Sequence, residues 1–169
     1  MNLEELLREV ERLRGRVTVI QASEARYRSL VELASEVICV TQEGLITFFN
    51  SAAQELTGYS EDELLKKPFS ALTHPDDRQE LAGKYRQRLR GEHVPPEHRF
   101  RIITSSKEIK WVESSSASIV WEGRPAVLSM IRDVTTHVRT EELLRQAREE
   151  LYARVRERTA EREEAKEVF

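Results

Sequence analysis

Between Asn50 and Arg78 the chain reads NSAAQELTGYSEDELLKKPFSALTHPDDR, which places an Asn, a Gly-Tyr, a His-Pro and two adjacent Asp residues in one short stretch. Asp76 and Asp77 are the types that could do chemistry there, as a carboxylate pair for Mg²⁺ or for proton exchange. Adjacent residues at a helix start point in different directions, and Asp is a preferred cap. The pair therefore reads as the cap of a helix running through Leu81, Tyr85 and Leu89. His74 precedes a proline and has no nucleophile nearby in sequence that it could serve as a base. His93 and His98 would need further metal ligands, and the sequence nominates none. No catalytic set emerges from these residues.

Composition narrows the classes. Of 169 residues, 39% are hydrophobic and 34% charged, enough for one modest core but not for burial of the whole chain. The charge is uneven: roughly the first twenty residues and the last thirty are dense in Glu and Arg, and the aromatics gather in between. That pattern predicts one globular domain between two solvated helical arms, at 1–22 and 139–169, with the domain at 23–138. The net charge of −3 comes from interleaved signs, so no basic stripe is present to bind nucleic acid directly. The lone Cys39 excludes an internal disulfide and reads as a small hydrophobe facing the core. No apolar run reaches the roughly 18 residues of a membrane span, and no signal peptide opens the chain. A cytoplasmic setting is expected.

The middle of the chain alternates strands and helices. Ser23 is placed to cap a short helix through Tyr27, Leu30 and Val31. EVICVTQEGLITFFN follows as strand, Glu43-Gly44 turn and strand. Asn50 ends the second strand where a helix must begin, so its side chain is expected to cap SAAQEL. Ser60 and Glu63 have capping-box spacing. After the helix stopped by Gly91, three strands are expected in PEHRFRIIT, EIKWVESSSASIVW and RPAVLSMIRDVT. Five strands then join as one antiparallel sheet with the helices on one face, an α+β class.

Each arm carries an apolar seam. Leu3, Leu6, Val10, Leu13, Val17 and Ile20 recur in alternating steps of three and four, the coiled-coil period, with β-branched residues favouring a parallel pair. In the C-terminal arm Thr140 is the expected N-cap, and Leu144, Ala147, Leu151 and Val155 form a seam that decays at Arg158 and Arg162. A parallel homodimer is the expected partnership, and the decaying seam marks the last helix as a connector.

Taken in order, SEARYRSLVE, ITFFNSAAQELTGYSEDELLKKPFSALTHPDDR, HRFRI, IKWVE and MIRDVTTHVRTEELL resemble a PAS domain over Ser23 to Leu144, of the kind found in bacterial sensor histidine kinases. The resemblance implies a five-stranded sheet wrapped by helices around a small pocket, and sensing or dimerisation rather than turnover. It implies a relay role for Asp133 and Thr135, which match the family's Asp-x-Thr where the last strand meets the output helix. It implies an output domain in the same parent chain, a histidine kinase of a two-component system first; the end after KEVF is consistent with a longer parent. The alternative is a ligand-free constitutive dimerisation or docking module of a diguanylate cyclase or transcriptional regulator. The flavin photosensor branch needs a reactive Cys in the helical region, where this chain reads TGYSEDELL. The haem branch needs a His on the long helix, where this chain has Lys84 and Tyr85. Both cofactors are therefore argued against. The pocket, open to a small apolar ligand or closed by its own side chains, is expected to be lined by Val37, Cys39, Phe48, Leu56, Leu72, Tyr85, Phe100, Leu128 and Met130, with Trp111 and Trp121 as core or interface anchors.

Overall fold

A computed structural model describes the backbone of residues 3–167 and the side chains of residues 4–159 and 162. The elements run α1 (Leu3–Glu32), β1 (Val37–Gln42), β2 (Leu45–Phe49), α2 (Ala52–Thr57), α3 (Glu61–Lys66), α4 (Phe69–Leu72), a 3₁₀ turn (Pro75–Asp77), α5 (Arg78–Leu89), β3 (Glu97–Ile103), β4 (Ile109–Trp121), β5 (Arg124–Asp133) and α6 (Thr135–Glu167). The strands form one antiparallel sheet in the order β2-β1-β5-β4-β3. Two hairpins close as the sequence suggests. Glu43-Gly44 and Glu122-Gly123 all take positive φ, 53° and 81°, then 48° and 77°, the twist that a two-residue hairpin loop needs.

Alternation along the strands sends one set of side chains to the helices. Val37 and Cys39 of β1, Phe100 and Ile102 of β3, Val112 of β4 and Ile131 of β5 join Ile46, Leu64 and Leu72 in a single buried cluster. Removing that much apolar surface from water is the main force holding α2 to α5 against the sheet. The helical caps are partly as expected. The capping box expected at Ser60 and Glu63 is present, with the Glu63 carboxylate accepting from the Ser60 backbone N–H at 2.9 Å.

Four expectations fail for physical reasons. The helix through Tyr27 does not start at Ser23: α1 runs unbroken from Leu3 to Glu32, because nothing between Val17 and Ser29 breaks helical periodicity. The last helix starts at Thr135 rather than Thr140, whose hydroxyl instead donates to the Thr136 carbonyl at 2.8 Å. Asn50 does not cap α2 with its side chain, which is taken up by the Val31 and Glu36 carbonyls and the Ile38 N–H. Neither Asp76 nor Asp77 caps α5 with its side chain; both turn to Arg101.

The outer face of the sheet, away from α2 to α5, is largely open. Met130 is exposed there. The seam residues Leu6, Val10, Leu13, Val17 and Ile20 of α1 and Leu144, Leu151 and Val155 of α6 are also exposed in the single chain. The side chain of Leu3 lies outside the described residues. No described helix is long and apolar enough to cross a membrane.

Candidate functional site

Two cavities lie between the inner face of the sheet and the helices. The smaller, about 30 Å³, is bounded by Val37, Cys39, Leu56 and Leu72 together with Ile46, Phe49, Leu64 and Ile131. Its walls are apolar, so it has room for little more than one water and no polar group to hold it. Burial pushes the Cys39 thiol pKa up to about 12, which leaves it protonated and a poor nucleophile.

The larger cavity, about 390 Å³, opens between α5, the β1–β2 turn and the inner face of β3 to β5. Tyr85 and Phe100 line it. Tyr85 spans from α5 to the hairpin, its hydroxyl 3.4 Å from the Gly44 N–H and 3.5 Å from the Thr41 carbonyl. Phe69 borders both cavities and meets Phe100 edge to face at 6.0 Å.

Phe48, Leu128 and Met130 line neither cavity, which corrects the expected pocket. Val40 pairs with Phe48 but Thr41 pairs with Ile46, so Thr47 is an extra residue in a β-bulge. The bulge resets the phase: Ile46 and Phe49 face the core, and Phe48 turns out to meet Trp121 with ring centroids 5.6 Å apart. On β5 the inward residues are Val127, Ser129 and Ile131, so Leu128 and Met130 face outwards. The inner face of that strand thus carries a hydroxyl, Ser129, between Val127 and Ile131.

Sequence reasoning missed the polar half of the larger cavity. Ser114, Ser116 and Ser129 line it and form a hydroxyl chain, with Oγ–Oγ distances of 3.1 and 2.9 Å. The signal for this was the alternation of β4, which buries Val112, Ser114 and Ser116 together on one face. His98 sits opposite Ser114 across the β3–β4 ladder and stacks on Phe100 at 5.4 Å. Burial, reinforced by Lys84 and Arg88, lowers its pKa to about 4, so the imidazole is neutral at pH 7. Among the described residues no group of three or more His, Cys, Asp or Glu is placed to hold a metal.

Around this core lie three polar clamps. At the incoming side the Asn50 amide is completely buried. Its Nδ2 donates to the Val31 and Glu36 carbonyls at 2.9 and 3.0 Å, and its Oδ1 accepts from the Ile38 N–H at 3.0 Å. Ser51 adds its backbone N–H to the Glu32 carboxylate at 3.0 Å, so the last turn of α1 is fastened to β1 and α2. In the middle, the Asp77 carboxylate takes the Arg101 backbone N–H at 2.8 Å and its guanidinium at 2.6 and 3.0 Å. The Arg101 hydrogen bonds hold the Asp77 pKa below the usual range against the opposing effect of burial.

At the outgoing side, Asp133 Oδ1 accepts the Thr135 N–H at 2.9 Å, and Thr135 Oγ1 accepts the Trp111 N–H at 2.9 Å. The Val134 N–H donates to the Trp111 carbonyl at 2.9 Å. These bonds pair the strand end and supply the orphan donors of the first turn of α6. Lys110 reaches both ways: its ammonium donates to the Leu56 carbonyl at 3.1 Å and lies 3.7 Å from Asp133 Oδ2.

The sheet order, the short helices on one face and the Asp-x-Thr exit define a PAS fold, and the family model of the PAS fold matches residues 25–134. The chain belongs to that family, in the form found in sensor histidine kinases. It is 26% identical over 149 residues to the sensor histidine kinase TmoS of Ectopseudomonas mendocina, covering 86% of this chain and 15% of that protein. Among solved structures it resembles a sensory box histidine kinase/response regulator from Burkholderia thailandensis, with 28% identity and a TM-score of 0.57 over 75% of this chain and 98% of that one. A PAS domain from Colwellia psychrerythraea gives a TM-score of 0.57 at 22% identity, over 70% and 98% of the two chains, a likeness of fold. The chain thus spans about 15% of the length of its curated relative.

Proposed function

We propose that this chain is the sensory and dimerisation module of a longer cytoplasmic signalling protein, a histidine kinase of a two-component system, and that it relays cavity occupancy to an output domain through α6. One observation carries the relay: β5 lines the larger cavity with Val127 and Ser129, lines the smaller one with Ile131, and ends at Asp133, two residues before Thr135 begins the exit helix. A change in how the cavity is filled therefore acts on the same stretch of backbone that aims α6. A tenfold difference in affinity between two arrangements, about 1.4 kcal/mol, is enough to shift their balance tenfold.

Dimerisation is supported by the exposed seams. Leu6, Val10, Leu13 and Val17 on α1, and Leu144 and Leu151 on α6, present apolar stripes that a parallel second copy would cover. The relay is tested in the full-length parent with Ser129→Phe, which fills the cavity from β5. Output is expected to change its response to the cue while circular dichroism shows an intact fold. Unaltered regulation in a folded variant would leave the module as a constitutive docking unit.

A further inference from the structure

The larger cavity contains a charge that the fold leaves unmatched. Arg88, on the last turn of α5, is only 7% exposed, and among the described residues its one side-chain hydrogen bond is from Nη2 to the Pro95 carbonyl at 3.0 Å. Among the described residues no carboxylate pairs with its guanidinium. Glu43, which lines the cavity, pairs with Arg124 at 3.0 Å, and Glu80 of α5 pairs with Lys84 at 2.6 Å. A buried cation without a counter-charge is costly, and proteins retain one where something else supplies the charge. Two further groups, on the sheet side of the same cavity, are incompletely used. His98 Nδ1 is buried with no hydrogen-bond partner. The chain Ser114–Ser116–Ser129 has three hydroxyl protons and two internal bonds, so one proton is left to donate. The lining also includes Phe69, Leu81 and Val127, which are apolar.

We infer that this cavity binds a small organic acid, its carboxylate held by Arg88 and the serine hydroxyls and its apolar body against Phe69, Leu81 and Phe100. The inference rests on the sensory reading and goes further by giving the ligand its charge. A neutral apolar molecule would leave the Arg88 charge unmatched, whereas a carboxylate gains charge-assisted hydrogen bonds. The volume of about 390 Å³ is at the small end of ligand sites, which suits a compact acid.

The test is isothermal titration of the whole chain with benzoate and hexanoate, each against its amide, benzamide and hexanamide, and against inorganic phosphate. The acids should bind at least about tenfold more tightly than their amides, the factor expected of a charge-assisted bond over a neutral one. Phosphate, without an apolar body, should bind more weakly than either acid. Arg88→Gln keeps a donor for the Pro95 carbonyl but removes the charge, and should bring acid and amide to about equal affinity. Amides binding as well as acids in the unmodified chain, phosphate binding as tightly as benzoate, or no acid binding at millimolar concentration would each overturn the inference. Preference for benzamide would do so while leaving ligand sensing intact. Tight benzoate binding with no change in amide exchange at Thr135 would support the acid site and remove the relay.

Discussion

The joint at Asn50 holds α1 with an amide that is completely buried, whereas the joint at Asp133 holds α6 with a carboxylate whose side chain is 39% exposed. The first makes three side-chain hydrogen bonds within a single residue, and each has a backbone partner. The second makes one close bond, to the Thr135 N–H, and one looser ion pair with Lys110 at 3.7 Å. Water can replace what Asp133 supplies and cannot reach what Asn50 supplies. The incoming helix is therefore fixed to the sheet as one body, and the outgoing helix is held by interactions that can be traded at small cost. A module that passes a signal outwards needs that asymmetry, because a two-state element must have some bonds that cost little to remake.

Asn50→Ala is the strongest way to break the contrast. It leaves the Ile38 N–H and the Val31 and Glu36 carbonyls without their partner in a dry site, and at about 1 kcal/mol for each lost bond the cost is about 3 kcal/mol. The measurement is the urea midpoint at constant m-value. A loss below about 1 kcal/mol would mean that the incoming joint is no firmer than the outgoing one.

The asymmetry was only half legible in the sequence. Asp133 and Thr135 were found through a family resemblance, and their spacing fits the bond between them. Asn50 was singled out but given a helix-capping role, since the local chain offers free α2 donors immediately after it; its true partners, Val31 and Glu36, are 19 and 14 residues upstream and only the folded sheet brings them near. The hairpins and the general order of elements followed from short-range chemistry and were readable. The pocket was read less well because strand phase is a two-fold choice that one extra residue reverses. The bulge at Thr47 turns Phe48 outwards, and on β5 the apolar Leu128 and Met130 point outwards while Ser129 holds the inward place. Preferring apolar residues for an inner face hid the serines, Arg88 and His98, the groups that distinguish the larger cavity from ordinary core.

Asp133→Ala should have the next effect, and a different kind of effect. Its loss removes one partly exposed hydrogen bond, so thermal or urea denaturation should record about 1 kcal/mol or less. In the full-length parent the same change should uncouple output from cue, because the first turn of α6 loses the acceptor that sets its direction. A variant with wild-type regulation would remove Asp133 from the relay, and a stability loss as large as that of Asn50→Ala would erase the distinction between the joints.

Acid gives the smallest and most selective test. Partial burial tends to raise the Asp133 pKa, but the Thr135 hydrogen bonds and the Lys110 charge outweigh it, and the net shift is downward from the ordinary 3.8. A carboxylate with a lowered folded pKa contributes stability above its unfolded value and loses it as pH falls through the folded value. Solvent screening at so exposed a site limits the contribution to about 0.5 kcal/mol. Asn50 has no proton to gain in that range. Lowering the pH below about 4 should therefore reduce hydrogen-exchange protection at the Thr135 amide before the Ile38 amide, each compared at the same pH with the Asp133→Asn variant so that intrinsic exchange cancels. The variant should stay level at Thr135. Asp77 and Glu113, whose pKa values are also lowered by arginine partners, titrate in the same acid range and act on both amides through global stability, so the difference between the two positions is the quantity that matters. If Ile38 loses protection in step with Thr135, the two helices share one cooperative unit, and a stiff entrance with a yielding exit is the wrong description of this domain.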